Sequence, residues 1–153
     1  MPRTSAGVLL YRVRPGGVEV LVGHMGGPFW ATKDDGAWSI PKGEYGDGEE
    51  PLAVAQREFE EELGSPVPAS DLVPLGELRA GVKVLTLWAA EGDLDATATV
   101  SNTFSLEWPP RSGRVQEFPE IDRAAWLGVD EARTKLVKGQ VPFLDRLVAL
   151  LDG

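Results

Sequence analysis

The sequence predicts a mixed α/β domain in which a sheet lies between helices. Three observations carry this. Two apolar runs near the start, Ser5–Arg14 and Val18–Gly23, read as paired strands. One amphipathic helix spans Pro51–Leu63. A second group of strands then gives way to two helices. The order strands, helix, strands, helices fits a mixed sheet; taken alone it allows either α/β or α+β.

Each element has its own reason. Pro15-Gly16-Gly17 is a turn between the first two strands. His24–Pro28 is a loop, Phe29-Trp30-Ala31 a short apolar piece, and Lys33-Asp34-Asp35-Gly36 a second turn. Glu49 and Glu50 place negative charge where the dipole of the 51–63 helix favours it. Pro51 suits the first turn, and Gly64 suits the left-handed residue that closes the helix. Leu52, Ala55, Phe59 and Leu63 form its apolar stripe. Pro66–Ser70 is a linker, and Asp71–Ala80 and Val82–Ala90 read as strands. A polar loop over Glu91–Ala98 leads to a strand over Val100–Trp108, and a small basic loop follows at Pro109–Arg114. Ile121–Leu127 is the last strand. Asp130 is expected to cap a helix to about Val137, Gly139-Gln140 breaks the chain, and Pro142–Leu151 is a closing helix. Phe143, Leu144, Leu147, Val148 and Leu151 lie on its apolar side.

At 153 residues the chain suits one domain, 1–153, with a substantial core. It is 42% hydrophobic and 25% charged, as in ordinary water-soluble globular chains. No repeat, low-complexity tract or internal boundary is visible. There is no membrane-length apolar run and no signal-peptide pattern, so a cytoplasmic location is expected. With no cysteine, disulfides and thiolate chemistry are excluded. His24 is the single histidine, which leaves little material for histidine-based zinc sites or triads. Neither GxSxG nor a Walker-type loop occurs. A net charge of −9 argues against polymeric nucleic acid and anionic membranes as partners. A small phosphorylated substrate stays open, because a bound metal inverts the local charge.

The chemistry concentrates in GEYGDGEEPLAVAQREFEEELGS, residues 43–65. At about 100° per residue, Glu58, Glu61 and Glu62 fall on one face beside the apolar stripe. Three such carboxylates repel one another, and stability alone would not place them together. A hard divalent cation resolves the repulsion, since Mg²⁺ and Mn²⁺ prefer carboxylate oxygen. Gly43, Glu49, Arg57, Glu58, Glu61, Glu62 and Gly64 stand at the spacing G-x5-E-x7-R-E-U-x-E-E-x-G-U, with Phe59 at the first apolar U. At roughly 6% per letter, a chance match to the fixed letters is on the order of 10⁻⁹ per starting position. The stretch resembles the Nudix box. Ser65 departs from it, standing where the last U is aliphatic.

The resemblance implies a Nudix-type α/β/α sandwich, hydrolysis of a diphosphate bond, and Mg²⁺ or Mn²⁺ as cofactor. It implies metal ligation by Glu58, Glu61, Glu62 and the carbonyl of Lys42. Catalytic roles fall to Glu58 or Glu61 and to a glutamate from outside the box near the last strand, Glu120 first and Glu117 second. Gly43, Glu49, Arg57 and Gly64 then shape the motif, Arg57 pairing with Glu49. The approach Trp38-Ser39-Ile40-Pro41-Lys42-Gly43 resembles members that hydrolyse dinucleoside polyphosphates or diphosphoinositol polyphosphates. Candidate substrate contacts are Lys42, Lys33, Trp30, Arg111 and Arg114, then Phe29, Arg79 and Lys83; Trp38 is expected in the core. A dinucleoside polyphosphate or nucleoside triphosphate is the expected substrate. ADP-ribose or another nucleotide sugar, a diphosphoinositol polyphosphate, and a silent nucleotide-binding module are the alternatives. A monomer or homodimer is expected.

Overall fold

The computed structural model describes residues 3–153. Strands β1 (Arg3–Arg14), β2 (Gly17–Met25), β3 (Trp38–Ser39) and β4 (Lys42–Tyr45) lead into helix α1 (Pro51–Leu63). Strands β5 (Val73–Ala80), β6 (Lys83–Glu91), β7 (Thr103–Glu107), β8 (Val115–Pro119) and β9 (Ile121–Gly128) follow, then helices α2 (Val129–Lys135) and α3 (Pro142–Asp152). Seven strands share one sheet in the order β3-β2-β1-β6-β5, with β4 added on β1 and β9 on β2. Only β1 and β6 run parallel; the other pairs in this sheet are antiparallel. β7 and β8 form a separate hairpin.

β1 is the central strand. Ala6, Val8, Leu9 and Leu10 are fully buried, because both faces of the sheet are covered. That double burial explains an unbroken apolar run rather than a polar alternation. On one face Val8, Leu10 and Leu21 meet Val54, Ala55, Phe59 and Leu63 of α1. On the other, Leu9, Val20 and Val22 meet Ala132 of α2 and Phe143, Leu144 and Leu147 of α3. The result is the α/β/α sandwich. α1 buries Val54 rather than the expected Leu52, which is only partly covered.

One local feature builds the site. β1 and β2 are joined by Pro15-Gly16 and pair from Arg14↔Gly17 to Tyr11↔Val20. Beyond that pair they part. β4 takes the freed edge of β1, with Thr4↔Tyr45 to Gly7↔Lys42, and β3 takes that of β2, with Gly23↔Ser39 and His24↔Trp38. Buried Gln140 holds this insertion: its Oε1 accepts from Ile40 N (2.8 Å) and its Nε2 donates to Ser39 Oγ (3.0 Å). Gly43 and Lys42 are thereby set beneath α1.

Several boundaries differ from the sequence reading. β3 and β4 are two and four residues long and flank Pro41, so they carry too little periodicity to be read. The strand expected over 100–108 covers only Thr103–Glu107. The amides of Val100 and Asn102 go instead to the α1 carbonyls of Leu63 (3.2 Å) and Glu61 (2.8 Å). The polar stretch 115–119 is β8, whose partner is β7. α2 begins directly after β9, with Gly128 at its N-cap position; Asp130 lies in the first turn and does not cap. α2 ends at Lys135, and the amides of Leu136 and Val137 go to Ala132 O and Trp38 O. No described helix is long and apolar enough to cross a membrane.

Candidate active site

The motif folds as a loop and a capped helix. Glu50 is the N-cap, its carboxylate accepting from Leu52 N (3.3 Å) and Ala53 N (2.9 Å). Pro51 occupies the first turn, where its missing N–H costs nothing. Gly64 closes the helix at φ 82°, a conformation that disfavours any side chain, and donates to Glu60 O at 2.8 Å. Glu49 accepts from Gly46 N (3.0 Å) and stands 3.4 Å from Arg57 Nη1, so the loop is tied to the helix. Arg57 also lies 3.9 Å from Glu58 and 3.8 Å from Glu61.

Glu58, Glu61 and Glu62 face a cleft of ≈ 380 Å³ also walled by Lys42, Gly43 and Glu120. Thus two α1 turns, the root of β4 and the segment before β9 converge. Gly43 makes room for Glu58: a Cβ there would overlap the Glu58 carboxyl group and displace it. Glu62 is 8% exposed. Burial, then the charges of Glu58 and Glu120, push its carboxyl up to about 9, against the opposing pull of Lys42. Burial and the neighbouring Glu61 also raise Glu58 above the usual carboxylate range, while Arg57 and a hydrogen bond with Glu62 oppose the rise. A proton held by Glu62 therefore relieves part of the crowding.

The donor set consists of hard oxygens that crowd one cleft at a cost in charge repulsion, and this is chemistry that a divalent cation fits. Among the described residues, no three His, Asp or Glu side chains stand close enough as placed to enclose an ion. The box glutamates line the cleft and do not form a closed cage as placed.

Other residues lie elsewhere. Glu117 is not in the cleft; it is exposed on β8 and accepts from Thr103 Oγ1 (3.1 Å). Arg111, with φ 61°, and Arg114 occupy the tip of the β7–β8 hairpin and do not line the cleft. Lys33 and Trp30 sit on the β2–β3 loop, the ammonium 5.3 Å from the Trp30 ring centroid. Trp38 is core. Phe29 is 59% exposed and packs edge-on against Trp108, with centroids 5.3 Å apart. Arg79 and Lys83 are exposed at the β5–β6 turn. Met25, Ser39, Asn102 and Ile121 line the cleft and carry no motif by which the sequence could have shown it. A larger hollow, ≈ 510 Å³, opens beside Arg12 and Trp126, but Arg12 there is committed to Glu19 and Asp93, each at 2.8 Å.

The NUDIX domain family model matches residues 1–147, and the chain belongs to the Nudix family. This is a class of pyrophosphohydrolases that generally use divalent metal ions. No curated protein matches the sequence significantly. Among solved structures, the fold is similar to a C. elegans Ap4A hydrolase in a binary complex, with TM-score 0.62 and 22% identity over 99% of this chain and 98% of that one. It is similar to the NUDIX domain of Shewanella oneidensis NrtR complexed with ADP ribose, with TM-score 0.67 and 12% identity over 99% and 89%. It is also similar to the Nudix hydrolase RenU from M. smegmatis, with TM-score 0.59 and 22% identity over 97% and 85%.

Proposed function

We propose that the protein hydrolyses a diphosphate bond in a nucleoside diphosphate linked to another group, with dinucleoside polyphosphates or nucleoside triphosphates as substrates. The observation that carries this is the meeting of Lys42 with Glu58, Glu61, Glu62 and Glu120 in one cleft. The cleft provides cation ligands, one ammonium for a phosphate, and a carboxylate outside the helix. Glu58, Glu61 and Glu62, with the backbone of Lys42, are the groups to hold Mg²⁺ or Mn²⁺. Bound there, the ion would neutralise phosphate charge and lower the pKa of the attacking water.

The protein's own groups complete the assignment. Lys42 meets a non-bridging phosphate oxygen. Glu120, which lines the cleft from outside α1, orients the water and takes its proton; Glu58 is the second candidate for that role. Arg57, through Glu49, steadies the 43–50 loop and acts on position rather than on substrate. The Trp-x-x-Pro-Lys-Gly approach and the likeness to an Ap4A hydrolase favour dinucleoside polyphosphates. The likeness to an ADP-ribose-bound domain supports a nucleotide-sugar reading as the second choice.

Phosphate release decides the matter when measured on diadenosine tetraphosphate, nucleoside triphosphates, ADP-ribose and a diphosphoinositol polyphosphate. Each is run with Mg²⁺, with Mn²⁺ and with chelator. Metal-dependent turnover of a dinucleoside polyphosphate or triphosphate, lost in Glu120→Gln, is expected. Turnover confined to ADP-ribose moves the assignment to the second reading. Metal-dependent binding without turnover of any compound would leave a silent nucleotide-binding module.

A further inference from the structure

His24 is fully buried at the end of β2, yet its ring makes polar contacts at both nitrogens. Nε2 lies 2.6 Å from the carbonyl oxygen of Lys33, on the loop between β2 and β3. A carbonyl only accepts, so Nε2 donates to it, and the Asp122 carboxylate that faces Nδ1 likewise accepts from the ring. Nδ1 lies 2.9 Å and 3.0 Å from the two carboxylate oxygens of Asp122, on β9. One imidazole therefore spans two segments that are far apart in sequence. The Trp38 ring packs edge-on against it with centroids 5.2 Å apart, which fixes its orientation.

Both segments adjoin residues that line the cleft, Met25 just before the loop and Ile121 just before Asp122. The β2–β3 loop starts at cleft-lining Met25 and carries Phe29, Trp30 and Lys33. Asp122 follows Glu120 by two residues, and Gly26 N donates to Glu120 O at 2.9 Å. A Cβ at Gly26 would strike the Pro119 carbonyl, so loop and strand are in close contact there. The register shift between His24 and Met25 against β9 is the local distortion that admits this crossing.

We propose that His24 is a positioning residue: its ring ties the 26–36 loop to the start of β9, and so sets where Trp30 and Lys33 stand relative to Glu120. This rests on the assignment of the cleft as the hydrolytic site. Loss of the tie frees the loop that carries the candidate substrate contacts Trp30 and Lys33 and leaves the box glutamates in place. The penalty then falls on KM rather than on kcat.

The test compares His24→Phe, Asp122→Ala and Asp122→Asn. Phenylalanine keeps the ring and loses both hydrogen bonds. Alanine removes one anchor at a site whose side chain is 29% exposed, which spares the core if His24→Phe does not fold. Asparagine keeps the tie, its side-chain oxygen accepting from Nδ1 while Nε2 still donates to Lys33. Expected for the first two is a rise in KM of about tenfold with kcat within about threefold, since small displacements of binding groups are costly. Hydrogen exchange should quicken over residues 26–36, and Asp122→Asn should lie near wild type in both readouts. A folded Asp122→Ala protein with unchanged KM and unchanged exchange over 26–36 would overturn the proposal. So would an Asp122→Asn protein as impaired as Asp122→Ala. Should wild type hydrolyse none of the substrates, the hydrolytic assignment fails, and exchange alone still decides the tie.

Discussion

Replacing Glu62 by glutamine separates the cost of the crowded cleft from its use. In the folded protein burial and two neighbouring carboxylates hold the Glu62 proton up to about 9, against an ordinary value of 4.5. The folded state therefore binds this proton more tightly than the unfolded chain does. The stability it contributes is whole below about 4.5 and is lost as pH climbs towards about 9. One pH unit inside that window is worth up to about 1.4 kcal/mol. From pH 6 to pH 8 the ceiling is thus about 3 kcal/mol, and relaxation of the cleft lowers it. At roughly 2–4 °C per kcal/mol for a domain of this size, wild type in chelator should lose up to about 10 °C in Tm over that range beyond the loss in Glu62→Gln. Glutamine keeps the shape and does not titrate, and groups that are not coupled to Glu62 cancel in the difference, whereas Glu58 and Glu120 do not. The assay is thermal unfolding of both proteins in chelator at half-unit pH steps, paired with turnover in Mg²⁺ at pH 8. Turnover should fall about 100-fold or more, since even changes behind a metal ligand commonly cost 10–100-fold. Parallel Tm curves would refute the buried proton. Unaltered turnover would remove Glu62 from the site.

Two further changes probe the motif. Gly43→Ala should fold, because the obstructing group is the movable end of Glu58, but the displaced carboxyl should lower kcat about tenfold or more, read by steady-state kinetics across Mg²⁺ concentration. Ser65 Oγ is buried and has no hydrogen-bond partner among the described residues, so Ser65→Ala should raise stability by about 1 kcal/mol, seen as a Tm increase of roughly 2–4 °C with unchanged turnover. A lower Tm would show that the hydroxyl is satisfied in solution.

The acidic helix could be read from sequence because its logic is local. Positions 58, 61 and 62 fall on one helical face whatever surrounds them, and Pro51 and Gly64 mark the ends by backbone preference alone. Family and class of chemistry follow from that spacing. The central strands could be read for a similar reason, since burial on both faces leaves a run such as Val8-Leu9-Leu10. β3, β4 and β8 could not, because each exists only through the strand it pairs with.

What tertiary structure decided is which distant groups share the cleft. The parting of β1 from β2 brings Lys42 and Gly43 under α1, and the amide of Asn102 reaching Glu61 O sets Asn102 beside the carboxylates. The same folding admits Glu120 to the cleft and leaves Glu117 outside it, although only three positions separate them. It buries Glu62, and so raises the affinity of that carboxyl for a proton. It also joins His24 to Asp122 across 98 positions. Helical spacing is a property of neighbours along the chain, whereas burial, strand register and contacts across the sheet are properties of the packed whole.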